Sequence, residues 1–242
     1  MQLFEDFPKK REKLPESYEK IYLQYYKNNR AGSTVASFAS QLMESWMHRR
    51  ICEVSHRRDK ILEIGGGNLN HFAYEQPDIY DVVEPFNKLY ENSKYISRVN
   101  DFYSDISEIS LRKMYDRIIS IATFEHILNL PAVVAKCCIV LNPRGVMQTS
   151  IPSEGTFLWE LGWKLTTGLE FWLQHRLDYG VLMRYEHVNT ASEIEEVLNY
   201  FFSKTKRAYF GLSKRISFYH YYECRYPKVK VAKEYLSMLE AK

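Results

Sequence analysis

The chain has 242 residues, 45% of them hydrophobic and 26% charged, with a formal net charge of +3. This is ordinary globular composition with enough apolar material for one sizeable core, which excludes a wholly disordered chain. The basic excess is too small to point to nucleic acid, whose partners usually carry a concentrated basic face.

Residues 1–57 read as a helical segment. Their start is charged and lacks the apolar stretch of a secretory signal, and no run of about 18 apolar residues occurs anywhere, so the expected location is cytoplasmic. Tyr18, Tyr22, Tyr25 and Tyr26 fall at helical spacing, an aromatic stripe that reads first as packing and second as a cation–π cover or the lining of a ligand pocket. Ser33 or Thr34 caps a helix whose apolar face runs through Val35, Ala39, Leu42 and Trp46, with Phe38 and Met43 beside it. His48-Arg49-Arg50 and His56-Arg57-Arg58 read as a solvated helix end, with an anion site as the second reading.

Short apolar strands then alternate with helices: Ile61–Ile64, Tyr80–Val83, a third within Ile96–Phe102, Ile118–Ile121 and Val146–Ile151. Pro131 opens a helix that runs over Ala132–Leu141 and stops at the turn Asn142-Pro143-Arg144-Gly145. A capping box over Thr190–Glu193 starts a late helix reaching Phe202. Strands Thr205–Phe210 and Ile216–Glu223 follow as an antiparallel hairpin turning at Gly211–Ser213, and the tail after Pro227 forms a short amphipathic helix. The pattern predicts an α/β fold: a Rossmann-like, mostly parallel seven-stranded sheet with an antiparallel C-terminal hairpin. Cys137 and Cys138 read as buried thiols. With Cys52 and Cys224 they make no C-x-x-C pair, and no His cluster completes a zinc site, so no metal is expected.

The most informative segment is Ile61-Leu-Glu-Ile-Gly-Gly-Gly-Asn-Leu-Asn70. A strand running into glycines lets backbone approach a ligand closely. Glu84 ends the next strand, where a carboxylate can accept hydrogen bonds from both hydroxyls of a ribose. Asn70 stands where G-x-G-x-x-G has its third glycine, which lowers the case for a dinucleotide. Glu63 would repel a pyrophosphate but suits a ligand's ammonium group.

These residues carry a resemblance. Glu63-Ile-Gly65-Gly66-Gly67 resembles motif I of class I methyltransferases dependent on S-adenosylmethionine (SAM). Val83-Glu84-Pro85 resembles their ribose-holding second motif, and Asp105-Ile106 the place of their adenine contact. Tyr115–Ile127, through Ala122 and Glu125-His126-Ile127, is similar to the fourth motif, and Leu141–Gly145 with the strand after it to the fifth. Tyr185-Glu-His187-Val-Asn-Thr190 resembles the His-containing approach to the late helix in the "type 11" branch. The chain departs from the family at Leu69, Asn70 and Arg144, where many members have glycine. The resemblance implies SAM as cofactor, held by Glu63, Gly65, Gly66, Gly67, Glu84, Pro85, Asp105, Ile106 and Ala122. It also implies a base for the acceptor's proton, for which His126 and His187 are the candidates.

The implied organisation is a single methyltransferase domain: an N-terminal helical cap over 1–57, a SAM-binding core over 58–151, a substrate lid insertion over 152–188, and the C-terminal helix and strands over 189–242. The insertion after the fifth strand holds three of the four tryptophans, Trp159, Trp163 and Trp172. It reads as a lid over a small acceptor, as a peripheral membrane contact through 153–188, or as a dimer interface. His175, Arg176, Asp178 and Arg184 would supply its polar specificity. The expected partner is a small-molecule acceptor, such as a saccharide or lipid-linked saccharide hydroxyl. No nucleic acid is expected, and the oligomeric state stays open. A non-catalytic binding or scaffold protein and an NAD-dependent oxidoreductase are the alternatives.

Overall fold

A computed structural model describes residues 4–22, 38–56 and 58–241. Seven strands form one sheet: β1 (Lys60–Ile64), β2 (Ile79–Val83), β3 (Asp101–Tyr103), β4 (Tyr115–Ile121), β5 (Leu141–Pro152), β6 (Phe202–Gly211) and β7 (Ser217–Pro227). Their order is β3-β2-β1-β4-β5-β7-β6, with β7 antiparallel to both neighbours and the other strands running one way. The chain therefore builds outward from β1 in one direction and from β4 in the other. The place between them is the topological switch point, where α/β sheets open a crevice at the carboxyl ends of strands.

The inner strands bury apolar side chains on both faces because both faces are covered. Leu62, Ile118 and Met147 face a core built with α2 (Leu130–Val140), α6 (Ala191–Phe201) and α7 (Val229–Glu240). Ile61, Val82 and Ile119 face the other way, toward Ile51 of α1 (Phe38–Cys52) and Phe72. The expected capping box is present, with Thr190 and Glu193 each bonding the other's backbone, and Pro131 sits in the first turn of α2.

Several boundaries differ from expectation. β3 is confined to three residues at the sheet edge, where it pairs only with Asp81–Val83, and Ile96–Arg98 forms a 3-10 turn instead of strand. The predicted turn at Asn142–Gly145 lies inside β5. Pairing there jumps from Tyr115↔Leu141 to Arg117↔Val146, so the extra residues bulge out of the ladder, a position that tolerates Pro143.

The N-terminal part is less helical than predicted: residues 16–22 and α1 are helical, whereas 9–15 have no regular structure. The buried face of α1 is also displaced. Met47, His48 and Ile51 are buried while Leu42 is half exposed, because only the end of α1 nearest the sheet is covered. Tyr25, Tyr26, Ser33, Thr34, Val35 and Arg57 lie outside the described residues.

The insertion comprises α3 (Phe157–Trp163), a π-helical turn at Lys164–Gly168, α4 (Leu169–His175) and α5 (Tyr179–Glu186). Its inner residues Phe171 and Leu182 pack on Leu14 and Tyr18, and the Asp178 N–H donates to the Tyr18 hydroxyl at 3.0 Å. Insertion and N-terminal segment thus cover one another. No helix among the described residues is long and apolar enough to cross a membrane.

Candidate functional site

A cleft of about 840 Å³ opens at the carboxyl ends of β1, β2 and β4. Each of the nine residues assigned to a cofactor from sequence lines it: Glu63, Gly65, Gly66, Gly67, Glu84, Pro85, Asp105, Ile106 and Ala122. Gly65 and Gly67 have φ of 78° and 51°, a backbone region that favours glycine. A Cβ added to Gly67 would meet nothing within 4 Å, so the loop presents open backbone there.

Glu84 closes the loop from the opposite strand. One carboxylate oxygen accepts from the Gly67 N–H and the other from the Phe86 N–H, each at 3.0 Å. These bonds fix the carboxylate at the mouth of the cleft. A carboxylate oxygen can accept more than one hydrogen bond, the property by which such a group serves a pair of vicinal hydroxyls.

Glu63 lies deeper and is buried. Its Oε2 accepts from the Tyr80 hydroxyl at 2.7 Å. Burial pushes its carboxyl above the usual carboxylate range, while His71 and the Tyr80 hydroxyl act in the opposite sense. A cationic ligand would favour its ionised form. Asp105 is exposed and caps the 3-10 turn Ile106–Glu108, accepting from the Ser107 N–H at 2.8 Å. Ala122 has φ of 48° and donates its N–H to the Ser150 carbonyl at 2.8 Å, which turns the chain across the end of β4.

The two histidines proposed as bases are brought together, with ring centroids 4.9 Å apart and planes at 73°. Only His126 lines the cleft; His187 stands beside it, away from the wall. The Nδ1 of His126 lies 2.9 Å from the Glu186 carbonyl, and that of His187 lies 2.9 Å from Glu154 Oε2. At each ring the acceptor facing Nδ1 calls for a proton there, the tautomer in which Nε2 can carry a lone pair. Glu125 is fully buried next to them, and burial pushes its carboxyl up to about 7, with His126 acting to lower it.

Of the insertion, Glu186 is the residue that reaches the cleft, where Tyr22 donates to its carboxylate. His175, Arg176, Asp178 and Arg184 do not line it. Asp178 caps α5, and the Arg176 guanidinium sits 4.5 Å from the Trp172 ring centroid. Within the aromatic stripe, Tyr18 is buried in packing, whereas Tyr22 lines the cleft. Arg11, Glu44, Thr123 and Tyr219 also line the cleft. Thr123 lies within the segment likened to the fourth motif, whereas Arg11, Glu44 and Tyr219 come from three other segments that no local pattern marks.

From the cleft wall at His48 a buried polar chain runs inward, which no local sequence pattern marks. Arg117 donates to both oxygens of Glu75 at 3.0 and 2.9 Å, to Gln148 Oε1 and to the Ile51 carbonyl. Glu75 meets His71 Nε2 at 3.0 Å, and His71 meets His48 Nδ1 to Nδ1 at 2.8 Å. Burial opposes ionisation of Glu75, but His71 and Arg117 outweigh it and hold the carboxyl down to about 2. His48 is therefore a buried element of this chain and not part of a solvated helix end.

No family model matches the sequence, and no curated protein matches it. Solved structures do resemble the fold. The plantazolicin methyltransferase BpumL, crystallised with a monoazolic desmethylPZN analogue and S-adenosylhomocysteine (SAH), is 16% identical with a TM-score of 0.57; the match covers 87% of this chain and 90% of that one. The N-methyltransferase NodS from Bradyrhizobium japonicum WM9, in complex with SAH, is 13% identical with a TM-score of 0.57, over 88% of this chain and 100% of that one. The strand order, the switch-point cleft and these likenesses agree: the chain has the class I methyltransferase fold.

Proposed function

We propose that the protein is a SAM-dependent methyltransferase acting on a small-molecule acceptor. The observation that carries this reading is the Gly67–Glu84 hydrogen bond, which sets a carboxylate across an open glycine loop at the switch point. Glu84 then accepts from the ribose, Ile106 and Asp105 border the base, and Glu63 faces the ammonium end. SAM supplies an electrophilic methyl group on a sulfonium. The neighbours BpumL and NodS were both crystallised with SAH, which supports the same cofactor here.

On this reading the protein's work is alignment and exclusion of water. Holding donor and acceptor in near-attack geometry is worth on the order of 7–11 kcal/mol. The cleft residues would orient the acceptor toward that methyl group, and a base on the cleft wall would take the acceptor's proton. His126, on the cleft wall with His187 against it, is placed to deal with that acceptor group. A saccharide hydroxyl fits the polar outer wall, where Arg11, Tyr22, Glu44 and Glu186 offer charges and hydrogen bonds. Residues 58–151 serve as the cofactor core, and 1–57 with 152–188 serve as its cap.

Calorimetry with SAM, SAH and NAD tests the assignment. Binding of SAM and SAH without NAD is the expected result; NAD binding without SAM would reverse it in favour of an oxidoreductase. SAM binding with no turnover on any extract fraction would favour a scaffold role. A second reading concerns the insertion, whose outer side exposes Phe157, Leu165, Leu169, Trp172 and Leu173 beside Lys164 and Arg176. Such a face suits a lipid surface, and failure to float with either anionic or neutral vesicles removes that idea.

A further inference from the structure

Two loops far apart in sequence are pinned together beside the cleft. The Glu125 carbonyl accepts from the N–H groups of Val188 and Asn189, at 2.8 and 3.1 Å. The buried Asn189 side chain donates back to the carbonyls of Phe124 and Ile127, at 2.8 and 2.7 Å. These four bonds hold Glu125, His126 and His187 so that one ligand atom from each lies within 4.8 Å of the other two.

The second observation concerns what these side chains lack. Oε2 of Glu125 is buried with no hydrogen-bond partner among the described residues. A buried polar atom without a partner is costly and calls for an explanation. Adding a proton to Glu125 would leave that need unmet. The histidines point to the answer. Each has its Nδ1 held by an acceptor, the Glu186 carbonyl or the Glu154 carboxylate. That is how proteins orient a histidine whose Nε2 binds metal.

We propose that Glu125, His126 and His187 form a divalent-cation site of the zinc type. Two imidazoles and one carboxylate are a donor set for first-row divalent metals, with a fourth position left open. Because His126 also lines the cleft, the cluster adjoins it. Resting on the methyl-transfer reading, the cation would hold the acceptor's hydroxyl or amine by its heteroatom and make it more acidic. Cation binding itself does not depend on that reading. The other cluster of suitable atoms, Cys52, His71 and Glu75, differs. Its Glu75 is engaged by Arg117 and its His71 by both His48 and Glu75.

The test uses the full chain, stripped with a chelator and titrated with zinc chloride by calorimetry and with cobalt chloride by absorption. One zinc per chain is expected, with visible cobalt bands and no thiolate charge-transfer band. His187→Ala and Glu125→Gln should each weaken zinc by about 100-fold or more, and Cys52→Ser should leave binding unchanged. The wild-type cobalt spectrum decides the ligand type even if a variant fails to fold. Absence of one-to-one binding, a thiolate band, or loss of binding in Cys52→Ser would each overturn the site. SAH affinity is measured on the same samples. Zinc binding without SAH binding supports the site and overturns the methyl-transfer reading, whereas SAH binding without zinc overturns the site alone.

Discussion

Gly65 and Thr123 meet across the gap between β1 and β4: a Cβ built on Gly65 falls 2.3 Å from both Oγ1 and Cγ2 of Thr123. With φ at 78°, this position is closed to a side chain on two separate grounds. Gly65→Ala should destabilise the fold by about 1–3 kcal/mol and weaken SAH binding, because either β1 or Thr123 must shift at the cleft. Urea melts and calorimetry check this, and an unchanged midpoint would show that the loop adapts.

Glu84 joins the two halves of the cofactor cleft. Glu84→Ala removes the acceptor for the N–H groups of Gly67 and Phe86 as well as for the ribose. SAH affinity should fall roughly tenfold or more. Glu84→Gln, which retains one accepting oxygen, should lose less. Equal affinity in Glu84→Ala and wild type would refute the ribose assignment.

Turnover separates the histidines from the cofactor residues. His126→Ala and His187→Ala should lower kcat by about 100-fold or more while changing SAH affinity little, since the acceptor's proton is their concern. Full activity in both variants would exclude any chemical role for the pair.

Arg117 is a stability determinant. Its guanidinium is almost fully buried and bonded to Glu75, Gln148 and the Ile51 carbonyl. Arg117→Ala removes the guanidinium from the buried Glu75 carboxylate and leaves it with His71, which should cost about 3 kcal/mol in chemical denaturation. A loss below about 1 kcal/mol would mean that water replaces the guanidinium.

His48 makes stability depend on pH. Burial, and then the neighbouring His71, push its pKa from 6.5 down to about 3. Between those values the unfolded chain binds a proton that the folded chain does not. Stability is therefore lost as pH falls below about 6.5, with a limiting slope of about 1.4 kcal/mol per pH unit. His48→Asn should flatten the dependence between pH 6 and 4, and parallel curves for the two proteins would remove His48 as the cause.

Local sequence determined the order of the strands and helices, the glycine exit from β1 at Gly65 and the carboxylates Glu63 and Glu84. These are features of short range: apolar periodicity, turn chemistry and a strand end each act over a few residues. The same locality explains the misplacements. Asn142–Gly145 has the composition of a turn, yet pairing with β4 turns it into a bulge inside β5. Leu42 has helical spacing, but which face of α1 is covered depends on where the sheet lies. Tertiary structure alone decided the rest. It placed His187 behind His126 instead of on the cleft wall, joined Glu125 to both, and threaded Arg117, Glu75, His71 and His48 into one buried chain. Such groupings depend on chain crossings between distant segments, and a single sequence holds no periodicity from which to read them.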